Sequence, residues 1–178
     1  GRYTLIRMLG KGGMGEVWLA KDEQLEEEVA LKRLPHEVGA DAMALADMRR
    51  EVQKSRALSH PNIVRIHDLV QQAGEDPLIS LEYVDGTDLT AIAATKTNGI
   101  FNWSDIKDWI LQLATALEYA HEEKIVHRDL KPGNIMINRK GRLKLADFGI
   151  AATVADATRR SSMEGFISGT TLYMSPQQ

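Results

Sequence analysis

The apolar residues change their spacing partway along this chain of 178 residues. Before about residue 84 they form short runs rich in β-branched and aromatic side chains, which predict the strands of an antiparallel sheet. These runs lie at 3–9, 16–21, 28–34, 63–70 and 78–84. Beyond them, apolar residues recur every three or four positions, as in amphipathic helices. We therefore expect an α+β fold with two lobes, residues 1–84 and residues 85–178.

Helical spacing also occurs once within the strand-rich part, between Asp41 and Leu58, with Asp41 placed to cap the helix. The strongest helical pattern runs from Trp103 to Ala120, after a weaker one that begins near Asp88. Two short strands are predicted at 135–137 and 143–145, and a long loop is predicted from 151 to 178. The second lobe is therefore expected to be mainly helical.

The composition excludes several classes of protein. Hydrophobic residues make up 43% of the chain and charged residues 26%, which is typical of globular domains. The absence of cysteine excludes disulfides and thiolate chemistry and is consistent with a reducing compartment. A net charge of −3 argues against a nucleic-acid partner, and no apolar run is long enough to span a membrane. We expect a cytoplasmic chain, with an anchor outside it left open.

A glycine-rich segment at residues 10–17 reads GKGGMGEV and fits the pattern G-x-G-x-x-G-x-V. Glycines let a backbone approach phosphate groups closely, although the same spacing occurs in dinucleotide folds and in plain turns. A dinucleotide fingerprint opens a helix, whereas here the segment leads into the strand at 16–21. The segment is therefore predicted to be a hairpin that folds over a ligand.

Lys32 lies on the third predicted strand and alternates with apolar neighbours, so that its side chain faces inward beneath the glycine hairpin. An ammonium group there can neutralise phosphate oxygens if a carboxylate holds it in place. Glu51, on the predicted helix 41–58, is the best candidate for that carboxylate. Arg50 and Glu37 are charged residues nearby that compete with this interpretation. The alternative is that these charges, Glu51 included, are simply solvated, as most helix charges are.

Two further motifs follow in the second half of the chain. Residues 127–134 read HRDLKPGN, and residues 147–149 read DFG. Each motif alone has an ordinary explanation, an ion pair for the first and a turn for the second. Their order after the glycine hairpin and Lys32 leaves little room for coincidence.

With these motifs the sequence resembles the protein kinase superfamily over essentially its whole length from Tyr3. The wording of 127–134 is similar to that of Ser/Thr kinases, and residues 169–178, GTTLYMSPQQ, resemble the substrate segment of bacterial kinases of the eukaryotic type. The resemblance implies a kinase-like two-lobe fold with a β-sheet N-lobe carrying one helix. It also implies transfer of phosphate from ATP, with Mg²⁺, to Ser and Thr hydroxyls of protein substrates.

The resemblance implies roles for individual residues as well. Asp129 would accept the proton of the substrate hydroxyl, Lys131 would contact the γ-phosphate, and Lys32, paired with Glu51, would hold the α- and β-phosphates. Mg²⁺ would be ligated by Asn134 and Asp147. The remaining nucleotide-binding residues would be Gly10, Lys11, Gly12, Gly13, Gly15, Val17, Ala30, Leu81, Glu82, Val84, Asp88 and Met136.

The same resemblance predicts control by phosphorylation. Arg128 precedes Asp129, and a phosphate on the loop between 149 and 169 could neutralise its guanidinium group. The candidate acceptors on that loop are Thr153, Thr158, Ser161 and Ser162.

Three departures from the family pattern are visible. Residues 175–177 read SPQ where the family usually has APE, and Ser55 stands where relatives more often carry an apolar residue. The chain also ends before the helices that complete the family's C-terminal lobe, so we expect an incomplete second lobe, with self-association through the apolar surface left uncovered.

Two other functions compete with protein phosphorylation. A nucleotide-binding regulatory module would bind ATP without transferring phosphate, and the incomplete second lobe favours it. The presence of Lys32, Asp129 and Asp147 favours the active kinase instead, because pseudokinases typically lose such residues. A small-molecule phosphotransferase is weaker, because such enzymes usually lack the context of residues 127–131.

Overall fold

The structure is a computed structural model that describes residues 1–12, 15–71, 75–148, 150, 153 and 154. These residues form two compact units. The first contains the described residues of 1–57 and 65–83, together with Ile150, Thr153 and Val154. The second contains residues 58–64 and 84–148.

The first unit is built on a five-stranded antiparallel sheet with the order β1-β2-β3-β5-β4. Its strands are β1 (Tyr3–Gly12), β2 (Gly15–Asp22), β3 (Glu27–Arg33), β4 (Ile66–Val70) and β5 (Leu78–Glu82). On the central strand β3, Val29, Ala30 and Leu31 are buried. Ala20, Val29 and Leu31 form a small core against which Tyr3 packs. The predicted strands are thus confirmed.

Two helices accompany this sheet, α1 (His36–Ala40) and α2 (Ala42–Arg56). The Asp41 carboxylate accepts hydrogen bonds from the backbone N–H groups of Met43 and Ala44, so Asp41 caps α2 as predicted. The buried face of α2 carries Ala44, Leu45, Met48, Val52 and Ser55. α1 was not predicted, because five residues containing Gly39 carry too little periodicity to reveal a helix.

The second unit contains two helices and a three-stranded antiparallel sheet in the order β6-β7-β8. Its elements are β6 (Gly86–Asp88), α3 (Leu89–Ala94), α4 (Trp103–Glu122), β7 (Ile135–Asn138) and β8 (Leu143–Leu145), with 3₁₀ turns at Thr97–Gly99 and Pro132–Asn134. A single core joins them, formed by Leu58, Ile63, Ala116, Ala120, Ile125, Ile135, Ile137, Leu143, Leu145 and Phe148. The expected mainly helical unit therefore also carries a small sheet.

The apolar stripe of α4 is only partly buried. Leu113 and Leu117 pack against the core, whereas Trp103 and Ile110 are exposed. These exposed residues lie toward the N-terminal end of α4. Nothing in the described part of the chain covers that end.

Residues 58–64 belong to the second unit although they connect two elements of the first. The Asn62 side chain explains this, because its amide donates to the carbonyl oxygen of Leu143 and to Oε1 of Gln112, both at 2.8 Å. Gln112 Oε1 also accepts from the backbone N–H of Leu143 at 2.9 Å. The predicted division of the chain at residue 84 remains a prediction.

Most of the predicted loop 151–178 lies outside the described residues, as do Gly13, Gly149, Thr158, Ser161, Ser162 and the segment 169–178. In the part of the chain that is described, no helix combines the length and apolarity needed to cross a membrane.

Candidate active site

The strand register of the first unit places four of the predicted nucleotide-binding residues on one face of the sheet. Val17 on β2 lies opposite Lys32 on β3, and Ala30 lies opposite Leu81 on β5. Directly paired residues project to the same face, and so do residues two apart on one strand. The structure therefore brings these four side chains together.

Lys32 is the charged member of this face and is only 3% exposed. A buried ammonium group requires a partner, and Lys32 does make a polar interaction. Glu51 lies half-buried on α2 within the same unit. The ion pairs found among the described residues do not include one between Lys32 and Glu51, so that pairing remains a prediction.

Lys11 projects from the opposite face of the sheet. Lys11 on β1 pairs with Glu16 on β2, so both side chains point to the same face. Successive residues of a strand point to opposite faces, and Glu16 precedes Val17, so this face is the one opposite Val17 and Lys32. Lys11 Nζ lies 3.0 Å from Glu16 Oε1. Any role of Lys11 in nucleotide binding therefore falls to its backbone.

Glu82, another predicted nucleotide-binding residue of the first unit, ends β5. The Glu82 backbone N–H donates to the carbonyl oxygen of Arg65 at 2.8 Å, and its carboxylate accepts from the Arg65 N–H at 3.1 Å. These bonds hold Glu82, which the resemblance predicts to bind the nucleotide.

In the second unit, Asp88 ends β6 and its carboxylate accepts from the backbone N–H of Ala91 at 3.0 Å, which caps α3. Met136 lies opposite Asp88 in the β6–β7 pair and is half-buried, while Val84 is buried. The resemblance predicts nucleotide binding for Asp88, and the structure adds a capping role.

His127 fixes the loop that contains Asp129. Its imidazole is buried, and Nε2 lies 2.7 Å from the carbonyl oxygen of Ala146, to which it must donate because a carbonyl only accepts. Nδ1 then accepts from the backbone N–H of Asp129 at 3.3 Å. Burial lowers the pKa of His127 below its usual value, which keeps the ring in this neutral form.

The Asp129 carboxylate is held by one of its two oxygens. Oδ2 lies 2.8 Å from Lys131 Nζ and accepts from Asn134 Nδ2 at 3.0 Å. Asn134 Nδ2 also donates to the Asp129 carbonyl oxygen at 2.7 Å. Oδ1 has no hydrogen-bond partner among the described residues, so it remains able to accept a proton.

Asn134 and Asp147 are brought close by the backbone. The N–H of Ala146, next to Asp147, donates to the carbonyl oxygen of Asn134 at 2.9 Å. Because Asn134 Nδ2 is used by Asp129, its side-chain oxygen points elsewhere and can ligate a cation. Amide and carboxylate oxygens suit a hard divalent metal ion. Among the described residues there is no cluster of three or more His, Asp or Glu side chains that could hold a metal ion.

Two residues beside these groups adopt left-handed backbone conformations, Arg128 with φ of 66° and Asp147 with φ of 64°. Side chains rarely adopt this region, and such strain of about 1–3 kcal/mol each is concentrated at functional sites. Glu26, Asn98 and Lys124 adopt this region too, so the conformation of Arg128 and Asp147 accompanies the two motifs without singling them out.

Sequence reasoning missed the parts played by His127 and Glu16. His127 was part of a motif without a role of its own, and only the hydrogen bond to Ala146 reveals what it orients. Glu16 had no motif function, and its contacts depend on the register of three strands. Residue spacing carries no signal for either.

The sheet with its buried lysine and the loop with the Asp129, Lys131 and Asn134 cluster define the class of the molecule as an α+β kinase fold. The model of the protein kinase domain family matches residues 3–178. The chain belongs to this family, whose members use ATP and a divalent metal ion.

Several bacterial relatives are similar to the chain. The probable serine/threonine-protein kinase PknB of Bifidobacterium longum is 39% identical over 186 residues, which cover 100% of this chain and 27% of that protein. The serine/threonine-protein kinase PknB of Mycobacterium tuberculosis is 39% identical over 180 residues, covering 99% of this chain and 28% of its own length. These relatives are named as kinases, which does not favour the alternative of a regulatory module without phosphoryl transfer.

Among solved structures, the crystal structure of the M. tuberculosis PknI kinase domain aligns with a TM-score of 0.76 at 35% identity. The alignment covers 85% of this chain and 60% of that one. The chain spans about a quarter of the length of the two PknB relatives.

Proposed function

We propose that the chain is the catalytic part of a Ser/Thr protein kinase and transfers the γ-phosphoryl group of ATP to protein hydroxyls. One observation carries the proposal: the Asp129 carboxylate is fixed through Oδ2 by Lys131 and Asn134 and keeps Oδ1 as an acceptor. A carboxylate with one anchored and one available oxygen is suited to receive the proton of an attacking hydroxyl.

The first unit would hold the nucleotide. Lys32 carries the positive charge for the α- and β-phosphates, and the glycine hairpin offers backbone N–H groups to them. Val17, Ala30 and Leu81 would contact the adenine ring from the same face as Lys32. Backbone groups of Glu82 and Val84 would bond the base.

The second unit would supply the reacting groups. The substrate oxygen attacks the γ-phosphorus while the bond to the bridging oxygen of ADP breaks, and Asp129 takes the hydroxyl proton. Lys131 would neutralise charge on the γ-phosphate. Asn134 and Asp147 would hold Mg²⁺, which when bound neutralises the phosphate oxygens. No covalent intermediate with the protein is needed.

The central experiment replaces Asp129 by Asn in the enzyme that contains this chain. Asn preserves the shape but cannot accept the proton, so kcat for a Ser/Thr peptide should fall about 10²-fold or more while ATP affinity stays within about 2-fold. Asp108→Asn, on the exposed side of α4, is the matched control and should change neither value. Equal losses of kcat and ATP affinity in Asp129→Asn would contradict the role of general base.

The substrate class is tested in the same assay with matched peptides that carry Ser, Thr or Tyr. The proposal expects transfer to Ser and Thr and little transfer to Tyr. A preference for Tyr, or transfer only to a small molecule, would contradict it. Use of ATP also supports our proposal of a cytoplasmic setting for this part of the protein.

We also propose that the chain on its own self-associates through the exposed apolar residues of α4. Trp103, Ile110 and Leu111 are 68%, 45% and 65% exposed, and burial of such surface is favourable. Sedimentation velocity should show concentration-dependent association that Ile110→Lys with Leu111→Lys removes. Leu25→Lys, at an exposed leucine of the first unit, should leave it unchanged. A monomer at every concentration would contradict this proposal.

A further inference from the structure

Glu16 is the centre of a charged cluster on the face of the sheet opposite Lys32. Its Oε1 lies 3.0 Å from Lys11 Nζ, and its Oε2 lies 3.7 Å from Arg33 Nη1. The indole N–H of Trp18 donates to Oε2 at 3.3 Å. The Lys11 ammonium, together with the Trp18 indole, lowers the pKa of the Glu16 carboxyl below its usual value. Both oxygens of one carboxylate are therefore engaged.

The cluster spans three strands at the closed end of the glycine hairpin. Gly12 pairs with Gly15, Lys11 pairs with Glu16 in the next rung, and Glu16 pairs in turn with Arg33 on β3. The same three charged side chains line a cavity of about 420 Å³. Glu16 thus ties the rung next to the Gly12–Gly15 pair to the inner strand β3 of the sheet.

The hairpin has few other side-chain restraints in this region. A Cβ added at Gly10 or Gly12 would meet nothing within 4 Å, so these two residues face open space on the side where a side chain would point. Among the described residues, strand pairing and the contacts of Glu16 hold the hairpin in position. A hairpin that is already fixed loses less conformational entropy when a ligand orders it.

We propose that Glu16 is a positioning residue for nucleotide binding. Its ion pairs with Lys11 and Arg33 act as a clamp, which holds the glycine hairpin in the position where its backbone can bind the phosphates. Glu16 does not touch the nucleotide, because its side chain lies on the other face of the sheet from Lys32. The inference rests on the proposed function, since it assumes that the hairpin binds ATP.

The direction in which Glu16→Gln changes nucleotide affinity distinguishes the clamp from a simple electrostatic effect. Glu16→Gln removes a negative charge near the binding site of an anion, which by Coulomb attraction alone would tighten nucleotide binding. The clamp requires the opposite, because the freed hairpin must be ordered again by the ligand. An exposed ion pair of this kind shifts an equilibrium by about 1.4- to 5-fold, so loss of two pairs should weaken binding about 2- to 25-fold.

The experiment measures the affinity of the chain for Mg·AMP-PNP by calorimetry. Glu16→Gln should weaken it about 2- to 25-fold, whereas Glu23→Gln, which removes the exposed pair with Lys21 elsewhere on the first unit, should not. In a Lys11→Gln and Arg33→Gln background, Glu16→Gln should have no further weakening effect, because its partners are already gone. Hydrogen exchange of the amides at 10–17, without nucleotide, should be faster in Glu16→Gln and unchanged in Glu23→Gln.

Three results would overturn the clamp. In the first, Glu16→Gln binds Mg·AMP-PNP as well as or better than the wild type, while Lys32→Met still abolishes binding. This result would contradict the clamp and leave the proposed function intact. Weaker binding with unchanged amide exchange at 10–17, or the same weakening in the background without Lys11 and Arg33, would show that Glu16 acts by another route. A wild-type chain that binds no Mg·AMP-PNP and equals Lys32→Met would overturn the proposed function itself and the clamp with it.

Discussion

His127 shows how one buried side chain couples two motifs of the site. It donates to the backbone at Ala146, beside Asp147, and accepts from the backbone N–H of Asp129. Its ring also contacts Phe148, with ring centroids 4.6 Å apart. A neutral imidazole is the only common side chain that can donate and accept from two rigid ring atoms in this way. The charged form would lose the bond from Asp129 N–H.

This arrangement predicts a pH dependence of stability. The pKa of His127 lies below the value of about 6.5 that it has when unfolded, so the unfolded chain binds more protons between the two values. Stability is therefore greatest above about pH 6.5 and falls as the pH drops toward the folded pKa, by at most about 1.4 kcal/mol per pH unit. Urea unfolding of wild type and His127→Gln across this range measures the effect.

Gln can still donate to Ala146, but it does not titrate, so the variant should lose less stability on acidification than the wild type. His60, whose pKa is also lowered by burial, is present in both proteins and cancels from the comparison. Parallel pH profiles for the two proteins would contradict the assignment to His127.

The glycines of the hairpin serve two different purposes. Gly15 has φ of 107°, and a Cβ there would lie 1.9 Å from the carbonyl oxygen of Arg33, so the fold itself requires glycine. Gly10 and Gly12 do not have a positive φ, and a Cβ added at either residue would meet nothing within 4 Å. The fold does not explain glycine at these two positions, whereas close approach of phosphates would.

We therefore predict opposite phenotypes. Gly15→Ala should lower the free energy of unfolding by about 1–3 kcal/mol. Gly12→Ala should leave it unchanged or raise it by up to about 1 kcal/mol, because alanine restricts the unfolded chain, yet it should weaken Mg·ATP binding. Urea unfolding and calorimetry on both variants test this. Unaltered Mg·ATP binding by Gly12→Ala would argue against phosphate contact at that residue.

At the scale of elements, α2 depends on its cap. Asp41 Oδ1 accepts from Met43 N–H at 2.8 Å and from Ala44 N–H at 3.2 Å, which satisfies two donors that the first helical turn leaves open. Asp41→Ala should cost about 1 kcal/mol of stability, whereas Asp41→Asn, which keeps an oxygen acceptor, should cost little. Equal losses for the two variants in urea unfolding would show that capping is not what Asp41 contributes.

The elements that the sequence predicted are those with their own local signal. α4 and α2 have long periodic patterns, and Asp41 is a capping residue that local spacing identifies. β6 has no such signal, because Gly86–Asp88 is a strand only through pairing with β7. The motif at 127–134 located Asp129 and Asn134, but which Asp129 oxygen is held depends on side-chain hydrogen bonds that spacing does not encode.

At the scale of the whole molecule, ligand binding should stabilise the fold through residues of both units. Mg·ATP that binds only the folded chain adds about 2.7 kcal/mol at a concentration 100 times its Kd, which for a chain of this size raises Tm by about 5–11 °C. Lys32→Met in the first unit and Asp147→Asn in the second should each remove most of that rise. Asp108→Asn should retain it.

Removal of the metal separates the two contributions. With excess EDTA, the wild type and Asp147→Asn should show the same small rise in Tm with ATP, because the carboxylate then has no cation to hold. Lys32→Met should still differ from the wild type under these conditions, since we propose that the Lys32 ammonium contacts phosphate directly. If Asp147→Asn kept the full Mg·ATP shift while Lys32→Met lost it, the first unit would bind the phosphates and the assignment of the metal to Asp147 would be wrong.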